Sequence, residues 1–249
     1  MLHIDSAMYE AIAQAMRATF KRREVDRVRQ LFPAYAAALG EPGLVALADL
    51  AGLRAERRGY LAEPEIMLWL DLMVRLGVAF DDDPLLPWAG RFPEAAGEGG
   101  KRLQELGDRA QDYLAKVAGP GGERLAAALG RFAAAGVDEL VVRPVESSDQ
   151  LAETLARLYP EKHQAAGYPA VQAFMQGTIA AGLQAGIRAK DRIVLTIEFD
   201  YLFGWGATAS PVFQAALAGP AAAELPVADL LARMQAFARR LAGKPSGGR

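Results

Sequence analysis

The chain has 249 residues, of which 52% are hydrophobic and 23% are charged, and its net charge is -2. This composition excludes wholesale disorder and allows a sizeable core, and the near balance of charge predicts no broad attraction to nucleic acid or acidic lipid. Cysteine is absent and only two histidines occur, which excludes disulfides, thiolate nucleophiles, structural zinc sites and most His-dependent catalysis.

The N-terminal residues do not have the pattern of a secretory signal, because Asp5 comes early and no continuous apolar stretch follows it. We therefore expect a cytoplasmic, reducing location. No cofactor and no metal site is predicted.

Taken in order, the first helix is predicted from a cap at Asp5 or Ser6 to a point before Pro33, since the residue before proline avoids the helical region. A short helical piece closed by Gly40 follows, and a long helix then runs from Pro42 to Gly59. The first helix has an apolar stripe that recurs every four residues, formed by Met8, Ile12, Met16 and Phe20.

The densest apolar run of the chain lies between Pro64 and Gly77, which are start and stop signals for a helix. Only Glu65, Asp71 and Arg75 are charged between them, so the helix is predicted to be nearly all buried. The four-residue spacing from Asp71 to Arg75 predicts that these opposite charges lie side by side.

An acidic turn and a basic helix face are two further clusters of charge. The turn is formed by Asp81, Asp82 and Asp83; it lacks the far glutamate of a calcium loop, which favours a capping and turn role. A solvated helix face is expected for the basic cluster of Lys21, Arg22, Arg23, Arg27 and Arg29.

Later segments are also mostly helical. A glycine-rich loop is predicted at 97–100, and the amphipathic helix after it has its apolar side at Leu103, Leu106, Ala110 and Leu114. An alanine-rich helix follows the linker at 119–122. The run 140–145 is the one strand-like segment, and Ser147 with Gln150 forms a capping box for the next helix.

Sliding the chain against itself by 127 residues gives a match without insertions. Gly40 falls on Gly167, Gly59 on Gly186, and Gly77 on Gly204. We interpret the chain as all-α, with two tandem homologous helical domains at 1–118 and 123–243, joined by the linker 119–122 and followed by a flexible tail at 244–249.

The run 169–187 contains no charged residue, so its length alone would fit a membrane span. The matching run 42–60 is plainly amphipathic, with Asp49 and Glu56 among its charges. A buried or interface helix is therefore the preferred interpretation, without stable membrane insertion.

Asp71 and its counterpart Glu198 are acids on the most apolar helix of each predicted domain. A buried carboxylate is costly unless it is paired, and such sites are enriched in function. The favoured interpretation is nevertheless structural: each acid is expected to be satisfied by an arginine or by a neighbouring helix N-terminus.

The first half resembles a group of small helical proteins of unassigned activity that are encoded beside the spike and PAAR-tip proteins of bacterial type VI secretion clusters. The resemblance covers about residues 5 to 117. The residues that carry it are Phe32-Pro33, Gly40-Glu41, Gly59-Tyr60, Asp71-Leu72-Met73, Gly77, Phe80-Asp81, Asp83-Pro84 and Pro87-Trp88. It implies an accessory protein of the secretion apparatus, an adaptor or chaperone that holds an effector or helps to load it on the spike.

The function predicted from these observations is non-enzymatic: an adaptor or effector chaperone whose partner is an effector or a spike or PAAR-tip protein. Binding is expected in the groove between the domains or on the apolar helix 169–186. The candidate partner-binding residues are Phe174, Met175, Ile179, Leu183, Trp205 and Trp88. The alternatives are an immunity protein that neutralises a cognate toxin, or a toxin with an unrecognised site built on Asp71 or Glu198.

Overall fold

The computed structural model describes residues 6–91, 99–142, 147–217 and 225–243, and within these ranges the chain is all-helical, as predicted. The helices of the first half are α1 (Ser6–Leu31), α2 (Pro33–Arg57), α3 (Glu63–Leu76) and α4 (Gly99–Val117). They are followed by α5 (Glu123–Ala134), a π-helical turn (Asp138–Val142), α6 (Ser148–Leu158), α7 (Pro160–Ala166), α8 (Tyr168–Gln184), α9 (Lys190–Phe203), α10 (Pro211–Leu217) and α11 (Val227–Ala242).

The ends of these helices lie where proline, glycine and capping residues predict them. Pro33 begins α2, whose backbone is kinked at Gly40 with φ +68°, a conformation that glycine adopts without strain. The short and long helices expected on either side of Gly40 are therefore the two parts of one kinked element. Ser147 caps α6 by accepting a hydrogen bond from the backbone N–H of Gln150.

Two local predictions need correction. The strand-like segment 140–145 is not a strand where it is described: Leu140 lies in the π-helical turn, and residues 143–146 lie outside the described residues. A short apolar run does not distinguish a strand from a buried helical segment. The loop expected at 97–100 gives way to α4 from Gly99 onward, while the tail 244–249 also lies outside the described residues.

The buried hydrophobic residues of both halves belong to one core cluster. The kinked helix α2 packs against α1 and α3 from its own half and against α10 and α11 from the other. Four phenylalanine rings in the second half pack against one another in tilted and edge-to-face pairs, namely Phe199, Phe203, Phe213 and Phe237. The predicted linker 119–122 is a short turn between α4 and α5.

The C-terminal ends of α3 and α9 meet at two glycines. A Cβ on Gly77 would lie 2.7 Å from the Cα of Gly204, and a Cβ on Gly204 would lie 2.6 Å from the Cα of Gly77. Real Cβ atoms do not approach backbone so closely, so only glycine fits at both positions. This backbone contact fixes how the two halves sit against each other.

Candidate functional site

The outer side of α8 is the surface that the sequence singled out for a partner, and the structure divides its candidate residues into two groups. Phe174 and Met175 are 0% and 2% exposed and belong to the core. The ring of Phe174 packs against those of Tyr201 and Trp205, at centroid distances of 5.9 and 5.6 Å. These two residues are therefore corrected from candidate partner contacts to core residues, because both side chains are buried and the ring of Phe174 packs against α9.

Ile179 and Leu183 lie on the side of α8 away from Phe174 and are 37% and 39% exposed. Tyr168, at the start of the same side, is 42% exposed, and its hydroxyl contacts the carboxylate of Asp149 and the amide of Gln172. No residue of α8 is charged. Its outer side is thus an exposed helix face made of apolar and uncharged polar side chains, which we call the α8 face.

The two candidate tryptophans are half-buried and take part in packing. Trp205 covers α8 at Gly177, where a Cβ would lie 2.3 Å from the indole ring, so a larger residue at 177 would displace it. Trp88 packs against Tyr113 with ring centroids 5.7 Å apart. Among the described residues, no contact joins either tryptophan to Ile179 or Leu183.

The carboxylate of Asp71 is paired with an arginine, but not with the arginine that the four-residue spacing along α3 predicted. Arg27 on α1 donates two hydrogen bonds to its carboxylate, of 2.9 and 2.5 Å. Arg75, the residue expected beside it, instead lies over the ring of Phe32 at 5.4 Å from the centroid. A contact between α1 and α3 therefore replaces the pair expected within α3, and the prediction that an arginine satisfies Asp71 is confirmed.

Glu198 is different, and here the expectation of a partner is wrong. Its side chain is 0% exposed, and neither carboxylate oxygen has a hydrogen-bond partner among the described residues. Burial raises the pKa of Glu198 well above its ordinary value, because a carboxylate loses its hydration there. Below its raised pKa, Glu198 is therefore packed as a neutral carboxylic acid.

The acidic turn is tied to α2 by ion pairs. Arg54 and Arg58 both contact the carboxylates of Asp81 and Asp82, and Arg58 donates to Asp81 over 2.9 Å. Asp81 is buried while Asp82 is exposed. The turn thus receives positive charge from two arginines of this chain, which extends the predicted capping role to one of holding the turn on α2.

The basic stretch of α1 is also paired rather than simply solvated. Lys21 contacts Asp49 of α2, Arg23 donates to Glu63 of α3 over 2.8 Å, and Arg29 contacts Glu41. Exposed pairs of this kind each contribute about 0–1 kcal/mol. Together they fix the C-terminal part of α1 on α2 and α3.

A groove of about 940 Å³ runs between α1 and α2 in this region. Glu24 lies close by; it is 3% exposed, and burial together with the negative charge of Asp49 raises its pKa to about 7. The groove is lined by side chains of both signs, which are Arg17, Lys21, Arg22, Asp26, Arg29, Glu41 and Asp49. Since most of these charges neutralise one another, the groove has no clear preference for an anion or a cation.

Sequence reasoning missed a buried polar cluster where the halves meet. Lys162 of α7 is 6% exposed, and its Nζ donates a 2.6 Å hydrogen bond to the backbone carbonyl of Tyr201. Asp83 accepts a hydrogen bond from the backbone N–H of Trp205, 3.3 Å away, and so joins the acidic turn to the second half. Asp200 accepts from the backbone N–H of Thr208 over 2.8 Å and holds the turn after α9.

Burial disfavours the charged forms of the side chains in this cluster. Burial lowers the pKa of Lys162 against the raising effect of Asp83 and Asp200, and burial raises the pKa of Asp83. Burial also raises the pKa of Asp200 to about 7, although hydrogen bonds from Thr208 act in the opposite direction. One signal for the cluster was present in the sequence: in the 127-residue alignment Lys162 falls on Tyr35, which suggests a position covered by other side chains.

The described residues contain no group of three or more His, Asp or Glu side chains that could hold a metal ion. Ser147 is occupied as the cap of α6, and His163 has an Nε2 atom that is buried without a hydrogen bond in the part of the chain described. Neither residue is placed against the other by a described contact.

Comparisons with known proteins add no relative to this picture. No protein-family model, no curated protein and no solved structure matches the chain.

Within the described residues, α2 (Pro33–Arg57) is the one helix that is long and apolar enough to cross a membrane by length and composition. A soluble core helix passes the same criterion. Because α2 is kinked at Gly40 and packs against four other helices, its apolar character is accounted for by the core. The uncharged helix α8, with 17 residues, is shorter.

Proposed function

We propose that the chain is a non-enzymatic, cytoplasmic adaptor or chaperone that binds an effector or a spike or PAAR-tip protein of a type VI secretion system. The observation that supports this proposal best is the α8 face, an exposed and uncharged helix surface that includes Ile179 and Leu183. Solvated helix faces normally carry charge. A face without charge is typical of a surface that another protein covers.

The occupant that fits the α8 face is an amphipathic helix of the partner, with its apolar side against Ile179 and Leu183. These residues are four positions apart, so they lie on one side of α8 one turn from each other. The amides of Gln172 and Gln176 border them and can form hydrogen bonds at the edge of the contact. This is the helix-on-helix mode of peptide recognition.

We further propose that the protein arose by duplication. The bounds of α3 (Glu63–Leu76) and α9 (Lys190–Phe203) differ by 127 residues at both ends, which is the offset of the sequence match. Pro33 and Pro160 begin α2 and α7 at the same offset. The contact of Gly77 with Gly204 is the arrangement expected where two copies meet around a two-fold axis.

The two copies then differ in a way that supports a binding role for the second. After its kink, α2 exposes Glu41, Asp49 and Glu56 and is covered by α10. Its counterpart α8 packs on α6, α7 and α9 and carries no charge on the exposed side. The uncharged face is therefore specific to the second copy.

The positions of the two acids favour this role over that of an acid-dependent toxin. Asp71 is held in a two-point ion pair by Arg27, and Glu198 is 0% exposed, so a substrate has no access to its carboxylate in this conformation. A general acid or base has to come within hydrogen-bond reach of its substrate. Both residues are better placed to act on stability than on a reaction.

The experiment is co-expression with the product of the adjacent tip or effector gene, followed by gel filtration. The proposal predicts co-elution at micromolar concentration and at least about tenfold weaker binding for Leu183→Asp, since a charge is then desolvated in the contact. The matched control is Leu61→Asp, which places the same charge at a 71% exposed leucine before α3. Independent elution of the two wild-type proteins would overturn the proposal, and rescue of cells that express a neighbouring toxin would assign an immunity role instead.

A further inference from the structure

Glu24 is a buried acid at the point where α1 enters the packed body of the protein. It is 3% exposed, and its Oε1 atom has no hydrogen-bond partner among the described residues. No side chain between residues 8 and 23 is buried, whereas Val25 and Val28, which follow Glu24, are 5% and 1% exposed. Glu24 therefore lies at the boundary between an exposed and a buried part of the same helix.

The charges that face Glu24 come from α1, α2 and α3. Asp49 of α2 and Glu63 of α3 disfavour its ionised form, whereas Lys21, one turn earlier on α1, favours it. The cations of α1 that lie next to Glu24 are engaged by these two acids. Lys21 contacts Asp49, and Arg23 donates a 2.8 Å hydrogen bond to Glu63. An ionised Glu24 thus adds a third carboxylate to a junction whose other two are already paired.

Burial is the largest cause that raises the pKa of Glu24 to about 7, and the charges of Asp49 and Glu63 act in the same direction. When α1 moves away from α2 and α3, the carboxyl group enters water and its pKa returns to the ordinary value of 4.5. The proton is therefore bound more tightly while the helix is docked. Its contribution to docking is complete below pH 4.5 and is lost as the pH rises to about 7.

The contacts that hold α1 before Glu24 are weak. Phe20 packs against the core but stays half-buried. Lys21 and Arg23 form exposed ion pairs, which contribute little to stability. After Glu24, the two hydrogen bonds that Arg27 donates to α3 hold the helix on the body. The exposed part of α1 can therefore leave the body while the rest of the helix stays in place.

We propose that Glu24 is a pH-sensitive switch for residues 8–23 of α1, which we call the α1 arm: the protonated side chain docks the arm on α2 and α3, and ionisation releases it. Release is a local opening and not unfolding of the protein. It uncovers Val45 and Asp49 of α2, which line the groove between α1 and α2 together with residues of the arm. The accessibility of this side of α2 thus depends on pH.

The test is the distance between the α1 arm and α2, measured by double electron-electron resonance at pH 5 and pH 8. Cysteine is absent from the chain, so nitroxide labels at Ala15→Cys and Glu56→Cys report on these two exposed positions alone. A docked arm gives a narrow distance distribution, and a released arm gives a broad one. The ratio of docked to released molecules is expected to fall by at least about tenfold, because ionisation of Glu24 changes it by up to about tenfold per pH unit within the window.

Three variants identify the group responsible. Glu24→Gln keeps the size of the side chain but cannot ionise, so it is expected to give the docked distribution at both pH values. Glu10→Gln is the matched control, because Glu10 is an exposed acid on the same arm, and it is expected to keep the wild-type response. Asp49→Asn removes a negative charge and leaves Lys21 to pair with Glu24, so it is expected to reduce release at pH 8.

A wild-type distance distribution that does not change between pH 5 and pH 8 would overturn the proposal. A change that Glu24→Gln leaves intact would also overturn it, since another group would then control the arm. Far-UV circular dichroism shows whether each variant is folded. If Glu24→Gln does not fold, Asp49→Asn decides the question, and an unchanged response of that variant contradicts the proposal. The measurement uses the chain alone, so its outcome is independent of the partner proposed for the α8 face.

Discussion

Replacing Glu198 by glutamine is expected to stabilise the protein at neutral pH. The side chain is 0% exposed, and its two oxygens have no hydrogen-bond partner among the described residues. The substitution keeps the size of the side chain and removes its charge. The perturbation therefore isolates the cost of ionising a buried carboxyl group, because packing is nearly unchanged.

The direction of the pH dependence follows from the raised pKa of Glu198, which is caused by burial. A carboxyl group whose pKa is higher in the folded than in the unfolded state binds its proton more tightly when folded. Its contribution to stability is fully present below the ordinary glutamate pKa of 4.5 and is lost as the pH rises toward the raised pKa of the folded state. Within that window the free energy of unfolding decreases by at most about 1.4 kcal/mol per pH unit from this one group.

The assay is urea unfolding followed by far-UV circular dichroism at pH 5, 6, 7 and 8. Glu198→Gln is expected to unfold at higher urea concentration than the wild type at pH 7, with a gain of about 1–3 kcal/mol, because the buried acid costs up to about 1.4 kcal/mol for each pH unit above its ordinary pKa and the amide does not. The difference between the two proteins is expected to shrink toward pH 5. Glu24 and Asp200, whose pKa values burial raises to about 7, contribute to the same slope in both proteins and cancel in the comparison.

The matched control is Asp71→Asn on α3. Asp71 is the ninth residue of α3 and Glu198 is the ninth residue of α9, but Asp71 has the two hydrogen bonds from Arg27. The control is therefore expected to destabilise the protein. Equal effects of the two variants, or a loss of stability at pH 7 for Glu198→Gln, would refute the argument that Glu198 is buried without a partner.

Two further predictions concern contacts between elements. Arg27→Ala is expected to lower the free energy of unfolding by about 1–3 kcal/mol, and toward the lower value because Arg27 is partly exposed. Denaturant unfolding measures this loss. An unchanged free energy of unfolding would mean that Asp71 is in contact with water or with another donor. Gly77→Ala is expected to cost more than about 3 kcal/mol or to prevent folding, since its φ of +115° is strained for alanine and the new Cβ would lie 2.7 Å from Gly204. Gly186→Ala is its control: with φ +84° and no atom within 4 Å of the new Cβ, it is expected to cost only about 1–2 kcal/mol. Equal losses at the two glycines would show that the halves do not meet at Gly77.

Helix bounds were largely predictable from the sequence, because glycine and proline act through the local backbone. Gly40 and Gly77 were predicted to end helical segments, and both have positive φ in the structure. The same local reasoning failed for the run at 140–145. A run of valine and leucine is compatible with several backbone conformations, and its π-helical turn packs on α9, a contact far away in sequence.

Partners of buried charges were not predictable in the same way. Arg75 lies four residues after Asp71, but the carboxylate is paired with Arg27, 44 positions earlier in the chain. Arg54 and Arg58 belong to α2 yet hold Asp81 across the turn after α3. Spacing along one helix identifies possible neighbours on that helix only. The choice among cations depends on how α1, α2 and α3 pack.

The sequence did not predict which side of α8 is buried and which is exposed, for a related reason. Phe174 and Ile179 are both apolar, and the helix has no charged residue to mark its solvent side. Periodicity locates a core side only when polar residues define the opposite one. The structure supplies the missing information, since Phe174 packs on Tyr201 and Trp205 whereas Ile179 is 37% exposed.

The α8 face stands out by comparison with α2, where α10 covers one side and charged residues occupy another. On α8, Ile179 and Leu183 are 37% and 39% exposed and no residue of the helix is charged. An uncharged face with exposed apolar side chains is typical of a surface that another protein covers. The difference between α2 and α8 therefore makes the second half the better candidate for binding a different protein.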